Sequence, residues 1–188
     1  RYAFNHNQLT HTVEYKYSFR PDLASDYKPY VYTGESDPLM RKYGYFNTVT
    51  PYRTDTGKFA NTFFMNRWHP EKKHTFYFTN NFPDQYKWIY SDPEIGIMAR
   101  TNKLFAEQGL NIRFAIEESD AEHQFGDIRY SFVNFIEDID TQAPFGYGPM
   151  DAHPRTGEIL SANSMIWTSG MLAYLQDIVE KSELGKDR

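Results

Sequence analysis

The fold is decided between residues 74 and 119, where HTFYFTN (74–80) is followed by SDPEIGIMARTNKLFAEQGLNIRFAIEES (91–119). HTFYFTN is aromatic and β-branched and reads as a strand. In the next stretch Asp92 stands as the expected N-cap, Pro93 at the first helical position and Gly109 just past the last turn. These signals predict a helix over 93–108. Ile97, Thr101, Leu104 and Phe105 share one of its faces, expected to pack on a sheet, while Gly96 weakens the first turn by up to ~1 kcal/mol. NIRFAIEES (111–119) then puts Ile112, Phe114 and Ile116 on one side of a second strand. A strand, a helix and a strand in that order join parallel neighbours.

Upstream, the pattern is β throughout. TVEYKYSFR (12–20) alternates Val13, Tyr15, Tyr17 and Phe19 with polar residues, the period of a strand with one wet face. YKPYVYTG (27–34) reads as a short strand ending at Gly34, and GESDP (34–38) as a loop. YGYFNTV (43–49) and FANTFFMNRW (59–68) read as strands joined through RTDTGK (53–58), whose Thr-Gly is a turn signal. Residues 1–70 are therefore expected as a β-rich segment belonging to a preceding domain, and residues 71–188 as a second unit. Downstream, GDIRYSFVNF (126–135) is a strand by the alternation of Ile128, Tyr130 and Phe132, and IEDIDTQAPFGYGP (136–149) is a loop by composition. DAHPRTGEILSANSMIW (151–167) makes a hairpin around a Pro and a Thr-Gly turn. SGMLAYLQDIVEKSEL (169–184) is a helix with Met171, Leu172, Leu175, Ile178 and Val179 on a stripe. The fold class is α+β: a β-rich N-terminal segment, then a mixed β-sheet with a crossover helix and an edge hairpin.

The 188 residues carry a net charge of -5 with both signs mixed, which gives no electrostatic footprint for nucleic acid. No apolar run approaches the ~18 to 20 residues of a spanning helix, and residue 1 is neither Met nor the start of a signal peptide. A soluble chain cut from something longer is expected. With no cysteine, disulfides, thiolate catalysis and Cys-ligated zinc are excluded. Fifteen tyrosines and fifteen phenylalanines fit a large β content, and the tyrosines suit an extracytoplasmic protein.

No complete active site is legible. In HPEKKH (69–74) the two histidines stand five apart with a proline between, whereas a helical zinc pair needs four; a polar linker is expected there. EESDAEH (117–123) offers carboxylates beside His123 and reads as a solvated loop. Glu137, Asp138 and Asp140 are hard oxygen donors suited to calcium but lack a full loop spacing, so solvent exposure is expected. Neither a Gly-x-Ser-x-Gly elbow nor a phosphate loop is present.

The order of HTFYFTN, KLFAEQGL, IRFAIEES, GDIRYSF and YGPMDAHPRTGEILSANSMIW, preceded by KYGYF and NRWHPEKK, resembles the zincin metallopeptidases, most closely a bacterial matrixin-like family. The similarity spans residues 43–167 and covers the part before the metal-binding helix, an incomplete zincin-like N-terminal subdomain. It implies that an antiparallel edge strand binds the peptide substrate through free backbone groups. By position that strand is Tyr147, Gly148, Pro149, Met150, Asp151, Ala152 and His153, with GEILSANSMIW as its return strand. The family also places a structural metal near such a histidine, but His153 without a partner in spacing reads as a surface or turn residue.

The chain departs from the family where zinc would be held. His-Glu-x-x-His occurs nowhere, and the last helix offers Gln176, Asp177 and Glu180 without a histidine. The expectation is a fragment of a secreted or periplasmic zinc peptidase, inactive alone, with zinc in the full-length parent and none in this chain, acting on a peptide or protein. The alternative is a non-catalytic peptide- or protein-binding module using the same edge. An exposed edge also predicts a possible edge-strand homodimer.

Overall fold

A computed structural model describes residues 2–6, 9–13, 15–22, 25–32, 36–137 and 144–184. Strands β1 (Tyr2–His6) and β2 (Leu9–Val13) form an antiparallel hairpin. The next sheet contains β3 (Val31–Tyr32), then, after helix α1 (Pro38–Tyr43), β4 (Asn47–Arg53) and β5 (Phe59–Met65), antiparallel in the order β3-β5-β4. Gly34 lies outside the described residues.

Two expectations for this half are corrected. Residues 15–22 are not a strand: Lys16 and Ser18 bond to the body while Tyr15, Tyr17 and Phe19 are exposed, so the expected apolar face is not buried. Side-chain bonds hold the segment, so its alternation records polar anchoring instead of an apolar face. GESDP is not wholly loop either, because the Asp37 Oδ1 accepts from the Leu39 and Met40 N–H groups and Pro38 opens α1.

The larger sheet is built from β6 (Lys73–Phe78), β7 (Arg113–Glu118), β8 (Ser131–Ile136), β9 (Gly146–Tyr147), β10 (Met150–Ala152) and β11 (Ile159–Trp167). Helices α2 (Asp84–Ser91) and α3 (Ile97–Glu107) lie between β6 and β7, and α4 (Thr168–Leu184) follows β11. The order is β10-β11-β8-β6-β7, with β9 also on β11. β6 pairs parallel with β7 and β8, β11 pairs parallel with β8, and β9 and β10 run antiparallel to β11. The crossover read from residues 74–119 is present.

The helix in that crossover starts later than expected. Asp92 precedes a proline, which pushes it to an extended ψ of 130° and ends α2 there. Its Oδ1 accepts from the Glu94 and Ile95 N–H groups, closing a separate turn, so Gly96 becomes the N-cap of α3. The packing face shifts with the start. Met98, Thr101, Asn102 and Phe105 are half-buried, while Ile97 and Leu104 are exposed. Asn102 clamps the helix to β7, donating to the Phe114 carbonyl and accepting from the Phe114 N–H, both at 2.7 Å. β8 also starts later, at Ser131, because Asp127 accepts from the Arg129 and Tyr130 N–H groups and turns residues 127–130.

Phe78, Phe82, Val133 and Phe135 form the core under the helices, with Phe76, Tyr90, Ile116 and Ile166 against it. On the opposite face Phe132, 1% exposed, meets Tyr77 and Phe125. Leu175, Ile178 and Val179 of the α4 stripe are exposed. Among the described residues no helix is long and apolar enough to cross a membrane.

Candidate functional site

Residues 147–153 sit on the rim of the larger sheet, but not as one continuous strand. Tyr147 belongs to β9, opposite Met165, and Met150, Asp151 and Ala152 form β10, opposite Ala162, Ser161 and Ile159. Gly148 and Pro149 lie between the two strands, and His153 follows the second. The predicted return strand is β11.

Backbone alternation sorts the rim into inward and outward groups. The carbonyls of Phe145 and Pro149 accept from the Trp167 and Asn163 N–H groups, and the His153 N–H donates to the Glu158 carbonyl. In an antiparallel ladder the residues between these turn their N–H and C=O the other way. Gly148, Met150 and Ala152 therefore present their groups outward, where no described strand pairs with them. The register shift between Asp151 and Ala152 keeps this outward row short. Tyr147, 63% exposed, stands at one end beside the edge-to-face pair of Phe145 and Tyr174.

At the other end the hairpin turn is fixed from the smaller sheet. Gly157 has φ +72°, and a Cβ there would lie 2.6 Å from the Met65 carbonyl oxygen and 2.9 Å from the Phe64 Cβ. This close approach lets the Arg67 N–H donate to the Gly157 carbonyl and the Ile159 N–H to the Arg67 carbonyl. Glycine is required both by the backbone conformation and by space.

A groove of about 910 Å³ opens beside the turn, and Arg20, Asp22, Lys72, Ala152, His153 and Glu158 are among its walls. Its far wall is made by Arg20, Pro21 and Asp22, with Ser25 and Tyr27 further along the chain. The His153 Nε2 lies 2.9 Å from the Asp22 Oδ1, and Arg155 reaches the other oxygen. Ser25 donates to the Glu158 carboxylate at 2.9 Å, with Lys72 3.8 Å from its other oxygen. Asp26 meets the His69 Nε2 at 3.0 Å. Hydrogen bonds from His153 and then Arg155 hold the Asp22 carboxyl below its ordinary range, and His69 does the same for Asp26.

The histidine expectations are revised accordingly. His69 is not part of a polar linker: it is 3% exposed, its Nδ1 accepts from the Glu71 N–H, and its carbonyl meets the His74 Nε2. Burial pushes the His74 pKa down. His153 is held by a partner 131 residues away, a pairing that no local spacing signals. His123 also has partners: its Nδ1 is 2.7 Å from Asp120, and its ring stacks on Tyr77 with centroids 3.9 Å apart. Asp138 and Asp140, two of the three calcium candidates, lie outside the described residues. Among the described residues no three His, Cys, Asp or Glu side chains converge to hold a metal ion.

Compared with protein-family models, with curated proteins and with solved structures, the chain matches nothing.

Proposed function

We propose that the chain captures an extended peptide along the rim formed by β9 and β10, as the substrate-side half of a secreted or periplasmic zinc peptidase that is inactive alone. The observation that carries this reading is the outward row of Gly148, Met150 and Ala152, antiparallel to β11 and unpaired by any described strand. The parallel crossover through α3 supports it, because HTFYFTN and IRFAIEES form adjacent parallel strands, although most of GDIRYSF is a turn. The described residues do not fit a zinc ion, since no ligand set converges among them. No cleavage step is assigned to them, and what the rim itself does is hold and align a chain.

Three residues offer about six backbone groups, and a net hydrogen bond contributes about 0.5–1.5 kcal/mol. After the cost of ordering a flexible peptide, binding through this row alone is weak, with Kd about 1 mM. The test is capture of peptides from a casein digest on the immobilised protein, followed by N-methylation of the best-captured peptide at each position. Loss of binding at alternate positions is expected of strand pairing. Loss independent of position would refute the reading. A captured peptide left whole by a full-length parent supplied with zinc would favour a binding module over a peptidase.

A further inference from the structure

A second cavity lies away from the rim, at the carboxyl ends of β6 and β7. β6 passes the chain to α2 and α3 on the face carrying Phe78 and Phe114, shown by the ring contacts of Tyr90 with Phe78 and of Phe105 with Phe114. β7 passes it to residues 119–130 on the opposite face, where His123 stacks on Tyr77. Connections that leave adjacent parallel strands for opposite faces open a crevice between them, the usual place for a ligand in such sheets. The crevice here measures about 390 Å³, within the range of small-molecule sites. It shares no lining residue with the rim or with the groove beside Asp22.

The hydrogen bonds around it leave donors to spare. Ser119 donates to the Asn80 Oδ1 at 2.8 Å, which leaves the Asn80 amide NH2 to donate. Lys16 donates to the Gln124 Oε1 and to the Phe125 carbonyl, both at 3.3 Å, which leaves the Gln124 NH2 and one ammonium N–H. The acceptor side is only partly taken, since the Asp120 Oδ2 stays open among the described residues. The Asp120 Oδ1 already receives the Glu122 and His123 N–H groups and faces the His123 Nδ1. The nearby Asp127 carboxylate is taken by Arg129. Phe125, exposed and packed edge-to-face at 5.7 Å on the buried Phe132, forms an apolar wall.

We propose that this crevice binds a small organic carboxylate bearing a flat apolar group, the anion on Lys16, Asn80 and Gln124 and the apolar part against Phe125. The site is independent of peptide capture, so either can fail without the other. The probes are benzoate and benzamide, equal in shape and different in charge, titrated calorimetrically into the whole chain. Benzoate is expected to saturate with Kd about 1 mM or below, and benzamide to bind at least about tenfold more weakly. Lys16→Met, at an exposed position, should weaken benzoate about tenfold with an unchanged circular dichroism spectrum. Asn80→Asp, which sets a carboxylate in place of a donor, should weaken it by at least as much. Equal binding of the two probes, an unaffected Lys16→Met, or no saturation at about 10 mM benzoate would overturn the assignment.

Discussion

Replacing Gly157 by alanine tests how the hairpin turn is held. At φ +72° an L-residue costs roughly 1–2 kcal/mol in backbone strain. The added Cβ also falls 2.6 Å from the Met65 oxygen, and relieving that contact separates the turn from the end of β5. The two backbone bonds across this junction, Arg67 to Gly157 and Ile159 to Arg67, are then lost at about 1 kcal/mol each. The expected total is about 3–4 kcal/mol. Gly109→Ala supplies the control, because its φ is +70° and nothing lies within 4 Å of a Cβ there. It should lose only the strain, and the smaller entropy of the unfolded chain offsets both variants alike. A difference of about 2 kcal/mol should appear as a urea midpoint lower by roughly 1 M for Gly157→Ala, given slopes of about 1–3 kcal/mol per M. Amide exchange at Arg67 and Ile159 should quicken in Gly157→Ala alone. If the two variants lose equal stability and exchange is unchanged, the junction is not what fixes the turn.

His69→Ala should cost about 2–3 kcal/mol, because it empties a buried site and removes the bonds to Asp26 and the Glu71 N–H, whereas Asp26→Ala, at an exposed carboxylate, should cost far less. Limited proteolysis within residues 25–32 should be faster in His69→Ala than in wild type, and equal rates would count against His69 as the anchor of that segment. Hydrogen bonds from Arg129 lower the Asp127 pKa from 3.8 to about 2. A carboxyl lowered on folding stabilises the native state above its unfolded pKa, and that contribution disappears as pH falls through the folded value. The stability gap between wild type and Asp127→Asn should therefore be level above about pH 4 and close towards pH 2 in chemical denaturation, and a gap that persists at pH 2 would assign the loss to something other than ionisation.

Much of the larger sheet was legible because its strands carry their own signals. HTFYFTN and NIRFAIEES are short, aromatic and β-branched, and the Gly109 that ends α3 has the positive φ, +70°, that its position implies. The misplaced start of α3 has a specific cause. Asp-Pro marks a helix start only when the residues before it are not themselves helical. At residues 92–93 α2 precedes it and Asp92 closes one helix before the next opens, whereas at 37–38 the same dipeptide caps α1 as the rule states. The exposed TVEYKYSFR aromatics show the limit of period-two reading. Alternation says which residues share a side, and the bonding partners decide which side faces the body.

The sites were less legible because each depends on residues distant in the chain. His153 without Asp22 is a turn residue, and Glu158 without Ser25 and Lys72 is a carboxylate in a hairpin. The crevice at the ends of β6 and β7 takes its cation, Lys16, from a segment more than a hundred residues from Gln124. The rim differs because its chemistry is in the backbone. Its outward row needs no particular side chains, only a strand antiparallel to β11 with small residues at Gly148 and Ala152 and no described neighbour beyond. Sequence can signal such an edge through its turn and its return strand. It cannot signal whether the outer row is short or long, which here is decided by the register shift after Asp151. Restoring an unbroken row therefore offers a direct check on the rim: if capture works through backbone pairing, affinity should rise with the length of the row, and the side chains of Met150 and Ala152 should matter much less than their amides.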